Sequence, residues 1–218
     1  MSDEESDAPG YQNWPPRLGL LAPGELDAAQ RAVYDAITGG PRASQAATVP
    51  ITDEAGRLVG PFAVMLLTPA VGDAMQQVGG QVRFATGLTS RERELGILSV
   101  AGVLRCDFER LAHEPAARKA GLTQEQINAS LSGRIPDSLT DDEALVCRLA
   151  RLMTADRNLS DADYADGLAA LGNKRLAELT YLVGYYSALA LSLAVFRPEL
   201  PEEFQKYRTG GDYQGMTP

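Results

Sequence analysis

The chain has a single histidine, His113, which follows Glu109 by four residues and Cys106 by seven. On a helix, positions four and seven apart share a face, so thiol, carboxylate and imidazole stack along one stripe, with Arg110 beside them. An imidazole next to a carboxylate suits proton transfer near neutrality, because its unperturbed pKa is about 6.5. A thiol on the same stripe adds a nucleophile or a redox centre. A further carboxylate, Glu94, leads into the apolar run 95–104 and shares a face with Arg91, Leu98 and Ala101. A carboxylate that enters a buried helix needs a partner or a raised pKa, and His113 or the arginines at the helix start are placed to supply one. Spacing alone leaves blander readings open. Glu109 and His113 also fit a surface ion pair worth ~0.3–0.5 kcal/mol, Glu94 fits a solvated first-turn acid that favours the helix dipole, and His113 fits a structural group beside Pro115.

The elements that must position these groups read as helices. Residues 1–23 carry Pro9, Pro15, Pro16 and Pro23 and form an extended arm, whose Trp14, Leu18, Leu20 and Leu21 imply docking on the parent domain or a neighbouring subunit. Helical spacing runs from Glu25 to Thr38 and stops at Gly39-Gly40-Pro41; residues 41–60 lack periodicity and read as a long loop. Pro69 opens a helix that extends towards Gly87, with Gly79-Gly80 in its middle implying close helix packing. Thr89 or Ser90 caps the helix through Leu104, and the next holds Cys106 to His113, with a kink or restart expected at Pro115. Thr123 caps a short helix, and Thr140 with Glu143 forms a capping box for another. Ser160 opens one more that Gly172 stops, and a last apolar helix runs from about Lys174 to Phe196, in the core or at a subunit interface. No segment alternates as a strand does, so the fold class is all-α, a bundle of roughly seven to nine helices in one domain over 24–205, with a flexible tail at 206–218.

A formal charge of -9 and a pI near 4.7 argue against nucleic-acid binding. An anionic substrate then needs a local cation, and Arg91, Arg93 and Arg105 are candidates. The sequence shows no cysteine or histidine cluster at metal-ligand spacing, so no metal is expected. No run reads as the roughly 18 apolar residues of a membrane span, and the acidic N-terminus is unlike a secretory signal, so a cytoplasmic protein with reduced thiols is expected. Cys147, between apolar neighbours, reads as a small buried hydrophobe. Tyr181, Tyr185 and Tyr186 read as core or interface aromatics, with Tyr185 as the phenol that could face a substrate.

The run LTSRERELGILSVAGVLRCDFERLAHEPAARKAGLTQEQINA at 88–129 resembles the core of the carboxymuconolactone decarboxylase family, and the TPAVGD and ELTYLVGYYSALALSLAVF segments extend the likeness over most of 60–196. The resemblance implies an alkylhydroperoxidase D-like helical bundle that acts as an enzyme on a small molecule and assembles as a homo-oligomer, a trimer or hexamer. In the alkylhydroperoxidase D-type branch a Cys-x-x-Cys pair lies between a glutamate and a histidine. The matching positions here are Glu94, Cys106, Glu109 and His113, so the second cysteine is replaced by Glu109. Without it no disulfide closes within the motif, which counts against two-thiol peroxidase cycling. The likeness is therefore closer to the decarboxylase-like branch, whose members use neither metal nor organic cofactor. That implies a lyase for a small carboxylated lactone or enolisable acid, with His113 as acid–base group, Glu109 or Glu94 orienting it, and Arg91 holding a substrate carboxylate. Two other functions stay open: a thiol-dependent peroxide reductase using Cys106, and a non-catalytic oligomeric module.

Overall fold

The computed structural model describes residues 15–40 and 49–202. The expectations for Trp14, for the first part of the 41–60 loop and for the 206–218 tail lie outside these. Eight α-helices and no strands occur among the described residues: α1 Ala28–Thr38, α2 Pro61–Met65, α3 Pro69–Phe84, α4 Ser90–Val103, α5 Asp107–Lys119, α6 Gln124–Ser132, α7 Asp141–Ala155 and α8 Asp161–Phe196. The all-helical bundle expected from periodicity is the observed fold.

Helix starts follow local chemistry. Thr89, Thr123 and Thr140 each accept from the backbone N–H three residues on, and Glu92, Gln126 and Glu143 reach back to close capping boxes. Asp27 and Gln30 form the same box, which is why α1 begins three residues later than the apolar spacing suggests. The break expected at Gly172 falls inside α8, where φ 68 and ψ 170 leave helical geometry before the helix resumes.

Some expectations are corrected. α5 runs through Pro115 as one helix, since proline's own φ is helical and burial of Leu111, His113, Glu114 and Ala117 holds both flanks in place. The five-residue α2 is absent from the sequence reading, being too short for periodicity to reveal. The described half of the 41–60 loop is not a free crossing. Val49 and Val59 pack with Ala63, Leu20 and Leu111, so this segment and the arm brace the back of α5 within the same chain. The end of the arm is tied further by a Leu18–Pro198 bridge and by Arg17 Nη1 donating to the Val195 carbonyl at 3.0 Å. By length and composition α8 does meet the requirements of a membrane span, because its interspersed Thr, Tyr, Gly and Ser leave the mean hydropathy high, while 44% of its apolar window is buried in the bundle.

The bundle is organised around α4. One face of α4 puts Ile97 and Val100 against Leu149, Leu179, Leu182 and Leu189, and the other puts Leu95, Leu98 and Ala101 against Ala117, Ile127 and Cys147. Burial on both faces accounts for the nearly continuous apolar run, each fully buried leucine contributing about 1.5–3 kcal/mol. Close approaches need glycine. A Cβ on Gly72 of α3 would stand 2.2 Å from the Met65 carbonyl oxygen, so a tight contact falls there. A Cβ on Gly102 would stand 2.0 Å from the Leu131 carbonyl oxygen of α6. Gly102→Ala is therefore expected to lower stability by ~1–3 kcal/mol, against a helix-propensity gain of ~1 kcal/mol. Urea unfolding at unchanged helicity checks it.

Candidate active site

α4 and α5 are joined by 104–106, with Arg105 in the left-handed region at φ 50. Backbone N–H groups of Arg105 and Cys106 donate to the Gly102 and Ala101 carbonyls, which ends α4 and turns the chain back on itself. The reversal sets Glu94 of α4 against His113 of α5, with Nδ1 and Oε2 2.7 Å apart. On the other side of the ring, Nε2 lies 3.4 Å from Glu109 Oε2, one helical turn earlier in α5. Glu94, Glu109 and His113 are thus brought together, each no more than 3% exposed.

The cation of the group is Arg83, which sequence reasoning missed. It comes from the last turn of α3 and places Nη1 3.4 Å from His113 Nε2 and Nη2 3.9 Å from Glu94 Oε1. Arg93 also approaches Glu94, at 3.4 Å. Tyr186 of α8 closes the other side with its ring edge-on to the imidazole, centroids 5.1 Å apart, and interacts with Arg83. Of Arg83, Glu94, Glu109 and His113, Arg83 alone reaches the surface appreciably, its side chain being 27% exposed.

Electrostatics follow from burial and charge. Burial opposes ionisation of Glu94, yet His113, Arg83 and Arg93 together hold its carboxyl below the ordinary 4.5. Burial likewise opposes charge on His113, but Glu94 and Glu109 outweigh it and raise the ring above its ordinary 6.5, with Arg83 pulling the other way. Burial pushes the Tyr186 phenol well up, so it stays neutral. The two glutamates thus favour the charged form of the ring, and Glu109 Oε1 is left buried without a hydrogen-bond partner among the described residues.

Other expected site residues lie elsewhere. Arg91 was expected to hold a substrate carboxylate, but it is committed to Glu143 of α7, at 2.5 and 3.2 Å, and to the Gly121 carbonyl at 2.6 Å. Arg110 pairs with Glu114, one turn along α5 and away from the imidazole. Tyr185 is a core residue, 6% exposed, with its ring edge-on to that of Tyr186 at 5.3 Å. Cys106 caps α5 and is buried beside Ala190 and Leu193; neither it nor Cys147 is in a disulfide. Among the described residues no three His, Cys, Asp or Glu side chains are placed to hold a metal ion, since Glu94 and Glu109 address opposite edges of the His113 ring.

The carboxymuconolactone decarboxylase family model matches residues 69–152. That stretch runs from the start of α3 into α7 and carries Arg83, Glu94, Cys106, Glu109 and His113, whereas Tyr186 lies beyond it. The family includes decarboxylases and alkylhydroperoxidase D-like peroxidases. No match to a curated protein was found.

Proposed function

We propose, for a chain that belongs to the carboxymuconolactone decarboxylase family through residues 69–152, an acid-catalysed lyase acting on a small carboxylated lactone or related enolisable acid. The observation that carries this reading is the division of the His113 ring: Nδ1 is held by Glu94, while Nε2 faces Arg83 and Glu109. A ring whose charged form is favoured by its glutamates is suited to donate a proton. Decarboxylation needs one. The C–C bond to the carboxylate breaks, carbon dioxide leaves, and the electron pair stays on the substrate as an enolate. His113 then delivers its Nε2 proton to carbon and becomes neutral, and solvent restores the proton. Arg83 serves two ends here. Its charge receives the substrate's anionic oxygens at the exposed edge of the group, and its position beside Nε2 disfavours the imidazolium, which eases proton departure.

Incubation with a panel of γ-lactone carboxylic acids in deuterated water tests the reading. Release of carbon dioxide with deuterium incorporated at the vacated carbon is expected. Arg83→Gln should raise KM by about tenfold or more, as loss of a charge-assisted contact worth ~1.5–3 kcal/mol requires. No release from any member of the panel, together with peroxide turnover that Cys106→Ser abolishes, would replace the lyase by the thiol peroxidase.

A further inference from the structure

Glu109 uses only one of its two carboxylate oxygens on the described chain. Oε2 lies 3.4 Å from His113 Nε2, whereas Oε1 is buried and takes no hydrogen bond among the described residues. At 3% exposure the residue is shielded from bulk water. Its turn of α5 is also pinned from behind. A Cβ on Gly60 would stand 2.0 Å from the Phe108 ring, and Leu111 packs with Val49 and Val59. Buried polar atoms are nearly always hydrogen-bonded, and a carboxylate oxygen is among the costliest to leave without a donor. Arg83 and Tyr186 both border Glu109 closely enough to feel its charge, yet neither donates to Oε1.

We propose that Glu109 Oε1 is the subsite for a hydroxyl of the ligand, which is a short hydroxylated carboxylic acid that donates its O–H to Glu109 and sets its carboxylate on Arg83. The carboxylate half rests on the reading of Arg83 under the proposed function; the hydroxyl half stands on Glu109 alone. Charge selects the donor. An ammonium group at Oε1 would stand beside Arg83 and the His113 ring, and an anionic group would meet Glu109 itself, whereas an uncharged donor avoids both conflicts. A hydroxyl suits the place better than an N–H. It gives its hydrogen to Oε1 and can also accept from the Tyr186 phenol or the Arg83 guanidinium, while an N–H only gives. Size follows from the same geometry. Arg83 Nη1 and Glu109 Oε2 each lie 3.4 Å from His113 Nε2, so few carbons separate hydroxyl from carboxylate in a ligand that bridges them. A ligand whose hydroxyl is removed or methylated shuts solvent away from Oε1 and brings no hydrogen in its place, which leaves the oxygen unpaired inside the complex.

Calorimetric titration of the full chain with 2- and 3-hydroxybutanoate, their methoxy counterparts and butanoate tests this. The better of the two hydroxy acids is expected to bind roughly 100-fold more tightly than its methoxy counterpart and than butanoate, since a site that hydrogen-bonds a hydroxyl rejects analogues lacking one. Butanoate is the smaller molecule, so its rejection is not steric. Glu109→Gln should bring the hydroxy and methoxy acids to within about threefold of each other, because its amide N–H can donate to an ether oxygen. Arg83→Gln should weaken all the acids and leave the preference for the hydroxyl in place. Equal affinity of the wild type for the hydroxy acids and butanoate, a preference that Glu109→Gln leaves intact, or no binding of any of these acids at millimolar concentration would each overturn the proposal. Carbon dioxide release is read separately. A hydroxyl preference in binding with no release from any γ-lactone carboxylic acid removes the lyase and keeps the subsite; release at equal kcat/KM from such acids with and without a hydroxyl keeps the lyase and removes the subsite.

Discussion

Replacing His113 by Asn is expected to lower carbon dioxide release by ~10²–10⁴-fold, the usual worth of a positioned proton donor. Asparagine keeps an N–H for Glu94, so the chain should stay folded, but it has no proton to give to carbon. The pH profile carries a second signature. In the proposed reaction the active form is the imidazolium, whose pKa is raised above 6.5, so turnover of the wild type should be full below 6.5 and fall as pH rises through that raised value. The variant's residual rate should lack this fall. Turnover within threefold of wild type, or a profile that rises with pH, would remove His113 from the acid role.

Glu94→Gln is expected to destabilise the fold by ~3–5 kcal/mol, because it strips the anion from a buried ion pair and leaves the imidazolium without its closest neutraliser. The deficit should depend on pH. The carboxyl of Glu94 is held below 4.5 in the folded chain, so its contribution is complete above 4.5 and is lost as pH falls through the lowered value. His113 is raised above 6.5, so its contribution is complete below 6.5 and is lost as pH rises through the raised value. Both are therefore complete between 4.5 and 6.5. Urea unfolding should show the largest difference between variant and wild type near pH 5.5 and smaller ones near pH 3 and pH 9. An equal difference at all three would mean that packing, and not the charge pair, accounts for the loss.

The local half of this site was legible in the residue order. Glu109 and His113 share a helical face at four-residue spacing, and Glu94 stood out as an acid at the mouth of an apolar helix. Which glutamate holds which ring nitrogen depended on the turn at Arg105, which periodicity does not encode. Arg83 and Tyr186 were not legible as site residues, because they arrive from α3 and α8 and nothing near them in sequence marks their direction. The expectation for Arg91 failed for the same reason. It was argued from sharing a stripe with Glu94, whereas a long guanidinium answers to whatever packs opposite, here Glu143 at the capped start of α7. Threonine caps and the Gly172 break were readable because they act within a few residues. Pro115 misled because its cost is set by the packing on both sides of it, which only the folded helix shows.

The short turn at Arg105 also bears on the order of assembly. Glu94 and His113 are separated by 19 positions, so closing that loop costs little chain entropy and the α4–α5 hairpin can unite them early. Tyr186, supplied by the distant α8, is expected to cover them later. On that order the charges are expected to meet while still hydrated, and docking of α8 to dry them. Dehydration of the pair is thus coupled to completion of the bundle, and loosening of α8 would let water back to the imidazolium before α4 and α5 part.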